Sequence, residues 1–350
     1  MSTGEQPRKI TLAGHRLRTW AQYLLDLHLR LAPAATTPET KATENKIRIV
    51  CISDTHNNQP SLPSGDVLIH AGDLTETGSF DELQDQITWL DSQPHRHKIV
   101  IAGNHDVLLD ESFLEKYPER RYGDSRTREE LNWGNVIYLE NKDITVKVEA
   151  QGTGDPNNNT NTNENDNNSS SSKPQLQQKP SARILKIFGS PLTPQYTLSA
   201  FQYPSHLSRS TWTNKIPCNI DILITHGPPR LYLDFDPNNQ GGGLRHTGDP
   251  YLTAEIGRVR PRLVVFGHIH VGYGREDLVL DFVRRGFEDV QNRLGEWGVL
   301  MGMVVGVFWG VLRRVAGFKG DGRVTTFVNA AIVGGGLANE VRNGAFVVDI

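Results

Sequence analysis

The chain has 350 residues, 37% of them hydrophobic and 22% charged, which fills a sizeable core and suits one large α/β domain with insertions. A formal net charge of −3 excludes a generally basic nucleic-acid binder. Two cysteines, Cys51 and Cys218, without a C-x-x-C pair exclude both a disulfide framework and a thiolate zinc site.

Residues 1–45 stand apart. Leu17, Trp20, Leu24, Leu27 and Leu31 fall at helical spacing in a basic stretch from His15 to Leu31, flanked by Arg16, Arg18 and Arg30. They predict an amphipathic helix packed on the main domain, with a helix at a membrane interface as the alternative. Glu5 and Asp26 interrupt the basic pattern and argue against a mitochondrial transit peptide. Ala32 to Thr43, rich in Pro, Thr and Ala, reads as a linker. No apolar run with a small-residue cleavage site opens the chain, so no secretory signal is read and a cytoplasmic location is expected.

The main domain is predicted over 46–350. Short β-branched runs recur at Ile47–Ile52, Val67–His70, Lys98–Ala102, Val136–Leu139, Ile144–Val148, Ile184–Phe188, Ile220–Thr225, Leu263–Phe266, Val324–Val328 and Phe346–Asp349. Several are apolar on both faces, as strands inside a covered sheet are. Between the second and third, Ser79 and Glu82 form a capping box, and Phe80, Leu83, Ile87 and Leu90 give a helix its buried stripe. Residues 152–178, dominated by Asn, Ser and Thr, have almost nothing to bury and predict a disordered loop.

A second insertion, 276–320, is expected to be helical. From Trp297 to Leu312 it carries no charge, and Gly298, Gly302, Gly306 and Gly310 recur every fourth residue, a groove of the kind that pairs helices in membranes. Sixteen helical residues span only about 24 Å against a hydrocarbon core of roughly 30 Å, so a crossing is not expected. Packing on protein is the default expectation; shallow membrane contact through 297–312 and 15–31 is the alternative.

The chemistry sits at strand ends. Ile47–Ile52 runs into Ser53-Asp54-Thr55-His56, Val67–His70 into Ala71-Gly72-Asp73, and Lys98–Ala102 into Gly103-Asn104-His105-Asp106. Ile220–Thr225 ends in His226-Gly227-Pro228-Pro229, and Leu263–Phe266 in Gly267-His268-Ile269-His270. Carboxyl ends of strands are where α/β folds place their sites. Taken singly, each fragment is an ordinary turn or cap, and His95 and His97 read as solvated loop residues. In a strand-like conformation, His268 and His270 would face one side and reach one place. Imidazoles, carboxylates and an amide without sulfur suit Mn²⁺, Fe or Zn²⁺ more than Ca²⁺. Two such ions about 3.5–4 Å apart share a bridging carboxylate and a water that ionises at neutral pH.

The ordered set resembles the calcineurin-like metallophosphoesterase superfamily, whose motifs read D-x-H, G-D, G-N-H-[D/E], H and G-H-x-H. The resemblance implies a two-sheet αββα sandwich carrying the two insertions, and a metal-dependent phosphoric ester hydrolase. It implies Asp54, His56 and His270 on a first metal and Asn104, His226 and His268 on a second, with Asp73 bridging. His105 would be the general acid beside the leaving group, with Asp106 orienting it; Asn57 is a weaker candidate for contacting substrate. Thr225-His-Gly-Pro-Pro229, Phe188-Gly-Ser-Pro191, the run from Gly267 to Gly274 and Val328-Asn-Ala-Ala331 resemble a narrower group. That group contains the metallophosphoesterase-domain-containing proteins and class III cyclic-nucleotide phosphodiesterases. Phosphoprotein phosphatases of the superfamily follow Gly-Asp with Asp-Arg-Gly, whereas this chain has Leu74-Thr75-Glu76-Thr77-Gly78, so phosphoproteins are disfavoured as substrates. The expected substrate is a small phosphodiester, a cyclic nucleotide by family likeness. The alternatives are a small-metabolite phosphomonoesterase and a membrane-associated scaffold with a vestigial metal site.

Overall fold

A computed structural model describes residues 12–31, 46–149, 182–237, 246–318, 322–334 and 339–350. The linker at 32–43 and the Asn/Ser-rich segment at 152–178 lie outside them. The β-branched runs pair into two sheets. In the first, β1 (Arg48–Ile52), β2 (Val67–Ala71), β3 (His97–Ile101) and β4 (Val136–Tyr138) are parallel, and β13 (Phe346–Asp349) runs antiparallel beside β1. The second has the order β11-β12-β10-β9-β6-β5. Its inner strands β6 (Ala182–Ser190), β9 (Ile222–Thr225), β10 (Leu263–Phe266) and β12 (Val324–Asn329) are parallel. Its edges β5 (Lys142–Glu149) and β11 (Gly274–Val279) are antiparallel. A short ribbon of β7 (Thr193–Pro194) and β8 (Gln202–Tyr203) lies outside both.

Side chains alternate across each strand, so each sheet buries two faces. Ile49, Cys51, Ile69 and Ile99 of the first sheet meet Ile187, Ile222, Ile224 and Val265 of the second. The outer face of the first sheet, through Val50, Leu68 and Val100, takes Leu83, Ile87 and Leu90 of α2 (Phe80–Ser92), whose capping box forms as expected. Beyond it, α3 (Glu111–Lys116) starts on an Asp110 cap. The outer face of the second sheet packs Leu223, Val264 and Phe266 on Trp212 of α4 (Ser208–Trp212) and on Leu252 and Ile256 of α5 (Pro250–Val259). This is a four-layer αββα sandwich.

Two expectations need correction. The 276–320 segment is not helical from its start, because Gly274–Val279 pairs residue for residue with β12. His95 is not solvated either, and His97, half-buried, lies in a strand rather than a loop. His95 is buried with Nε2 donating to the Pro63 carbonyl at 3.0 Å, and His97 opens β3 and donates to Lys147 O at 3.1 Å. Each imidazole N–H satisfies a backbone carbonyl there.

The remaining helices form a layer of their own. α1 (Leu12–Leu31) packs Ala21 and Leu24 against Val283 and Val290 of α6 (Phe282–Gln291) and Leu300, Met303 and Val307 of α7 (Trp297–Val315). Three of the four α7 glycines face protein: Gly306 meets Val283 and Phe282, Gly302 meets Phe282, and Gly310 meets His28 of α1, while a Cβ on Gly298 would have nothing within 4 Å. The helix has 19 residues rather than sixteen, and among the described residues it alone is long and apolar enough to cross a membrane.

Tyr232, stacked on Phe327, joins this layer to the second sheet by donating its hydroxyl to the buried Glu288 carboxylate of α6. Burial pushes Glu288 up from 4.5 to about 7, outweighing the Tyr232 hydrogen bond. A carboxyl raised on folding stabilises fully below its unfolded value, and the contribution is lost as pH rises through the folded one. The rise is worth on the order of 3 kcal/mol. Denaturant unfolding from pH 5 to 8.5 should show wild type losing that much relative to Glu288→Gln, which keeps the acceptor without the charge. Parallel curves would disprove the assignment.

Candidate metal centre

Asp54 and His56 follow β1, Asp73 follows β2, and Asn104, His105 and Asp106 follow β3; His226 follows β9, and His268 and His270 follow β10. Both sheets therefore deliver side chains to one end of the sandwich. The chain leaves these strands at a conformational cost. Asp54, His56, Asn57, Asp73 and His268 all hold positive φ, between 43° and 66°. Each such residue costs about 1–3 kcal/mol, and such residues cluster at functional sites. Glycines admit the side chains: a Cβ on Gly103 would sit 2.2 Å from Asp73 Oδ1, and one on Gly267 would sit 2.0 Å from Asp54 Oδ2.

Three imidazoles are aimed through the same device. His56, His105 and His226 place Nδ1 at 3.1, 2.7 and 2.9 Å from the carbonyls of Thr75, Glu76 and Ala71. A carbonyl only accepts, so Nδ1 donates and Nε2 is the nitrogen turned to the other residues of the site. His226 Nε2 lies 3.3 Å from Asp73 Oδ2 and 3.0 Å from Asn104 Oδ1. His56 Nε2 is buried without a hydrogen-bond partner, 3.8 Å from Asp73 Oδ2. His270 Nε2 lies 3.2 Å from Asp54 Oδ1. The ligating atoms gather as Asp54, His56 and His270, as Asp73, His226 and His268, and between these as His56, Asp73 and His105.

Burial and charge set the protonation. Burial opposes ionisation of Asp54, but the His270 hydrogen bond wins and holds it down at about 2. Burial likewise opposes a charged His226, yet Asp73 beside it pushes the imidazole up to about 9. His268, buried and next to His226, falls to about 3, and burial also lowers His56. Two buried carboxylates thus stay ionised among imidazoles, a set whose charge a divalent cation would balance. An orphaned buried Nε2 beside carboxylates is what a metal satisfies, so the residues fit a divalent ion.

Three expectations change. Asp106 does not orient His105: its carboxylate accepts from the N–H groups of Gly103, Leu74 and Thr75 and from the Thr75 hydroxyl at 2.7–3.2 Å, tying the loops together beneath the site. As the residue after His105, it points the opposite way; the Glu76 carbonyl orients the imidazole instead. His268 and His270 do not share a strand face, because β10 ends at Phe266 and His268 is left-handed. They consequently enter different groupings. Asn57 donates to Glu82 Oε1 of α2 at 2.8 Å and so braces a loop.

Sequence reasoning missed several neighbours. The Glu76 carboxylate lies 3.6 Å from His56 Nδ1, and the Tyr196 ring, just over half exposed, lies 5.0 Å from that of His268. Asn329 donates to the carbonyls of Ile269 and Leu233, fixing the His268–His270 turn. The Val-Asn-Ala-Ala motif already contained Asn329; Glu76 and Tyr196 lie in loops with no local signal.

The chain is 40% identical over 318 residues to the probable rhamnogalacturonate lyase C of Emericella nidulans, covering 90% of this chain and 26% of that protein. It is 35% identical over 241 residues to human metallophosphoesterase domain-containing protein 1, covering 65% of this chain and 61% of that one. A UPF0046 protein of Caenorhabditis elegans is 33% identical over 246 residues, covering 67% of this chain and 73% of that protein. The chain thus spans about a quarter and about three fifths of the first two relatives. The family model described as calcineurin-like phosphoesterase matches residues 47–272, which span all nine strand-end residues of the site, and the chain belongs to that family.

Proposed function

We propose that the chain is a binuclear metal-dependent phosphodiesterase acting on small diesters, with cyclic nucleotides as the leading substrate class. The observation that carries it is the pair of three-residue groupings with 3.8 Å from His56 Nε2 to Asp73 Oδ2 between them, which would let one carboxylate serve two ions. Asp54, His56 and His270 would hold one ion, and Asn104, His226 and His268 the other, with Asp73 shared; Mn, Fe and Zn suit the donors. When bound, the ions supply an activated water and neutralise phosphate charge. Burial opposes a charged His105 but Asp73 raises its pKa, so as an imidazolium that donates Nδ1–H to Glu76 O it would carry on Nε2 the proton for the departing oxygen. The Glu76 carboxylate adds negative charge at the rim, which disfavours a dianionic monoester relative to a monoanionic diester. We also infer a cytoplasmic location, supported by the free thiols of Cys51 and Cys218.

The test is turnover of a chromogenic diester and its monoester by metal-stripped protein with and without Mn²⁺. Diester turnover only with metal is expected. Faster monoester turnover would favour a phosphomonoesterase, and none with both ions loaded would favour a scaffold. His105→Ala should keep its metal and lose about 10²–10⁴-fold on diesters with alkoxide leaving groups, but far less on nitrophenyl esters. Equal losses on both would remove His105 as the acid. Tyr196→Ala should raise KM for nucleotide diesters about tenfold by removing a stacking face, with kcat little changed. A fall in kcat alone would contradict that role.

A further inference from the structure

Among the described residues, nothing covers the outward face of α7 along its length. Trp297, Met301, Val305, Phe308, Trp309 and Leu312 are 46–68% exposed, in a stretch without a charged residue. In the same helical layer α1 exposes Trp20 and Tyr23. Soluble monomers rarely show contiguous apolar patches beyond a few hundred Å². The stripe ends in charge. Arg314 donates to the carbonyls of Leu31 and Arg30, so exposed Arg30, Arg313 and Arg314 gather at one end of the layer. Exposed tryptophans within an apolar stripe, closed by clustered arginines, match the boundary between acyl chains and anionic headgroups.

Three observations select this occupant. The close-approach face that would pair α7 with a second copy is already filled by Phe282, Val283 and His28. The stripe offers indole N–H groups as its only side-chain polar atoms, too few to satisfy a protein partner's interface. A crossing is ruled out, because α7 is packed on α6, and the Asp281–His28 pair between α6 and α1, 2.6 Å apart, would have to enter hydrocarbon.

We propose that α7 lies in the plane of an anionic membrane surface, its outward stripe in the headgroup–acyl boundary and Arg30, Arg313 and Arg314 on lipid phosphates. The proposal is independent of the catalytic reading.

Full-length protein should float with phosphatidylcholine vesicles containing phosphatidylserine and much less with phosphatidylcholine alone. Each of Arg313→Gln and Arg314→Gln should weaken binding about fivefold at low salt. Phe308→Ser combined with Trp309→Ser should weaken it about a hundredfold, with an unchanged circular dichroism spectrum and unchanged turnover of a soluble chromogenic ester. Wild type that stays unbound with both vesicle types, or a double variant that floats like wild type, overturns the proposal. A dimer in solution that the double variant dissolves would also overturn it, assigning the stripe to a second copy.

Discussion

Asp73→Ala is expected to lower metal-dependent turnover by ~1,000-fold or more and to strip the protein of at least one of two bound ions. One Asp73 oxygen accepts the His105 N–H at 2.8 Å, while the other lies 3.3 Å from His226 Nε2 and 3.8 Å from His56 Nε2. Asp73 thereby reaches both groupings and the loop that carries His105. Its loss also leaves the fully buried His226 Nε2 without the carboxylate beside it. Alanine is further disfavoured at the Asp73 φ of 54°, which asparagine tolerates. Asp73→Asn therefore separates the effects: it should keep the fold better than alanine yet still lose metal. Metal analysis of both variants, with unfolding curves, checks this. Two ions retained with wild-type turnover in either would remove Asp73 from the centre.

Gly267→Ala is expected to cost about 1–3 kcal/mol by overpacking and to displace Asp54. The added methyl would lie 2.0 Å from Asp54 Oδ2 and 2.1 Å from Ser53 Oγ. Asp54 cannot easily retreat, because it is fully buried and accepts the His268 N–H at 3.0 and 3.1 Å. The grouping with His56 and His270 should open, and turnover should fall about a hundredfold or more. Gly298→Ala is the control. Nothing lies within 4 Å of its added Cβ, and it sits inside α7, so a gain of up to about 1 kcal/mol is expected. Melting curves and metal content of the two proteins give the comparison. A Gly267→Ala protein as stable and as metal-loaded as wild type would contradict the geometry.

The strands were legible because β2, β9 and β10 are apolar on both faces and each is followed at once by chemistry-bearing residues. β11 was not, because Gly-Arg-Glu-Asp-Leu-Val is half charged and declares itself only by pairing with β12, far along the chain. The strand-end residues were legible as a set, but their directions were not. Sequence places Asp106 beside His105, yet only the backbone shows that it faces the loops below. The same limit applies to Glu76 and Tyr196, which reach the site through loop paths that no periodicity encodes.

The two groupings draw donors from opposite sheets: Asp54 and His56 with His270 across the divide, and Asp73 with His226 and His268 across it. An occupied centre is therefore a clasp at one end of the sandwich, while the other is closed by apolar contacts and by hydrogen bonds such as His97 to Lys147 O and Arg183 to Ile350 O. Chelation should lower the melting temperature in proportion to the logarithm of free metal. Amide exchange should then quicken first at Ser53, Gly103 and Gly267, where the two leaves would part.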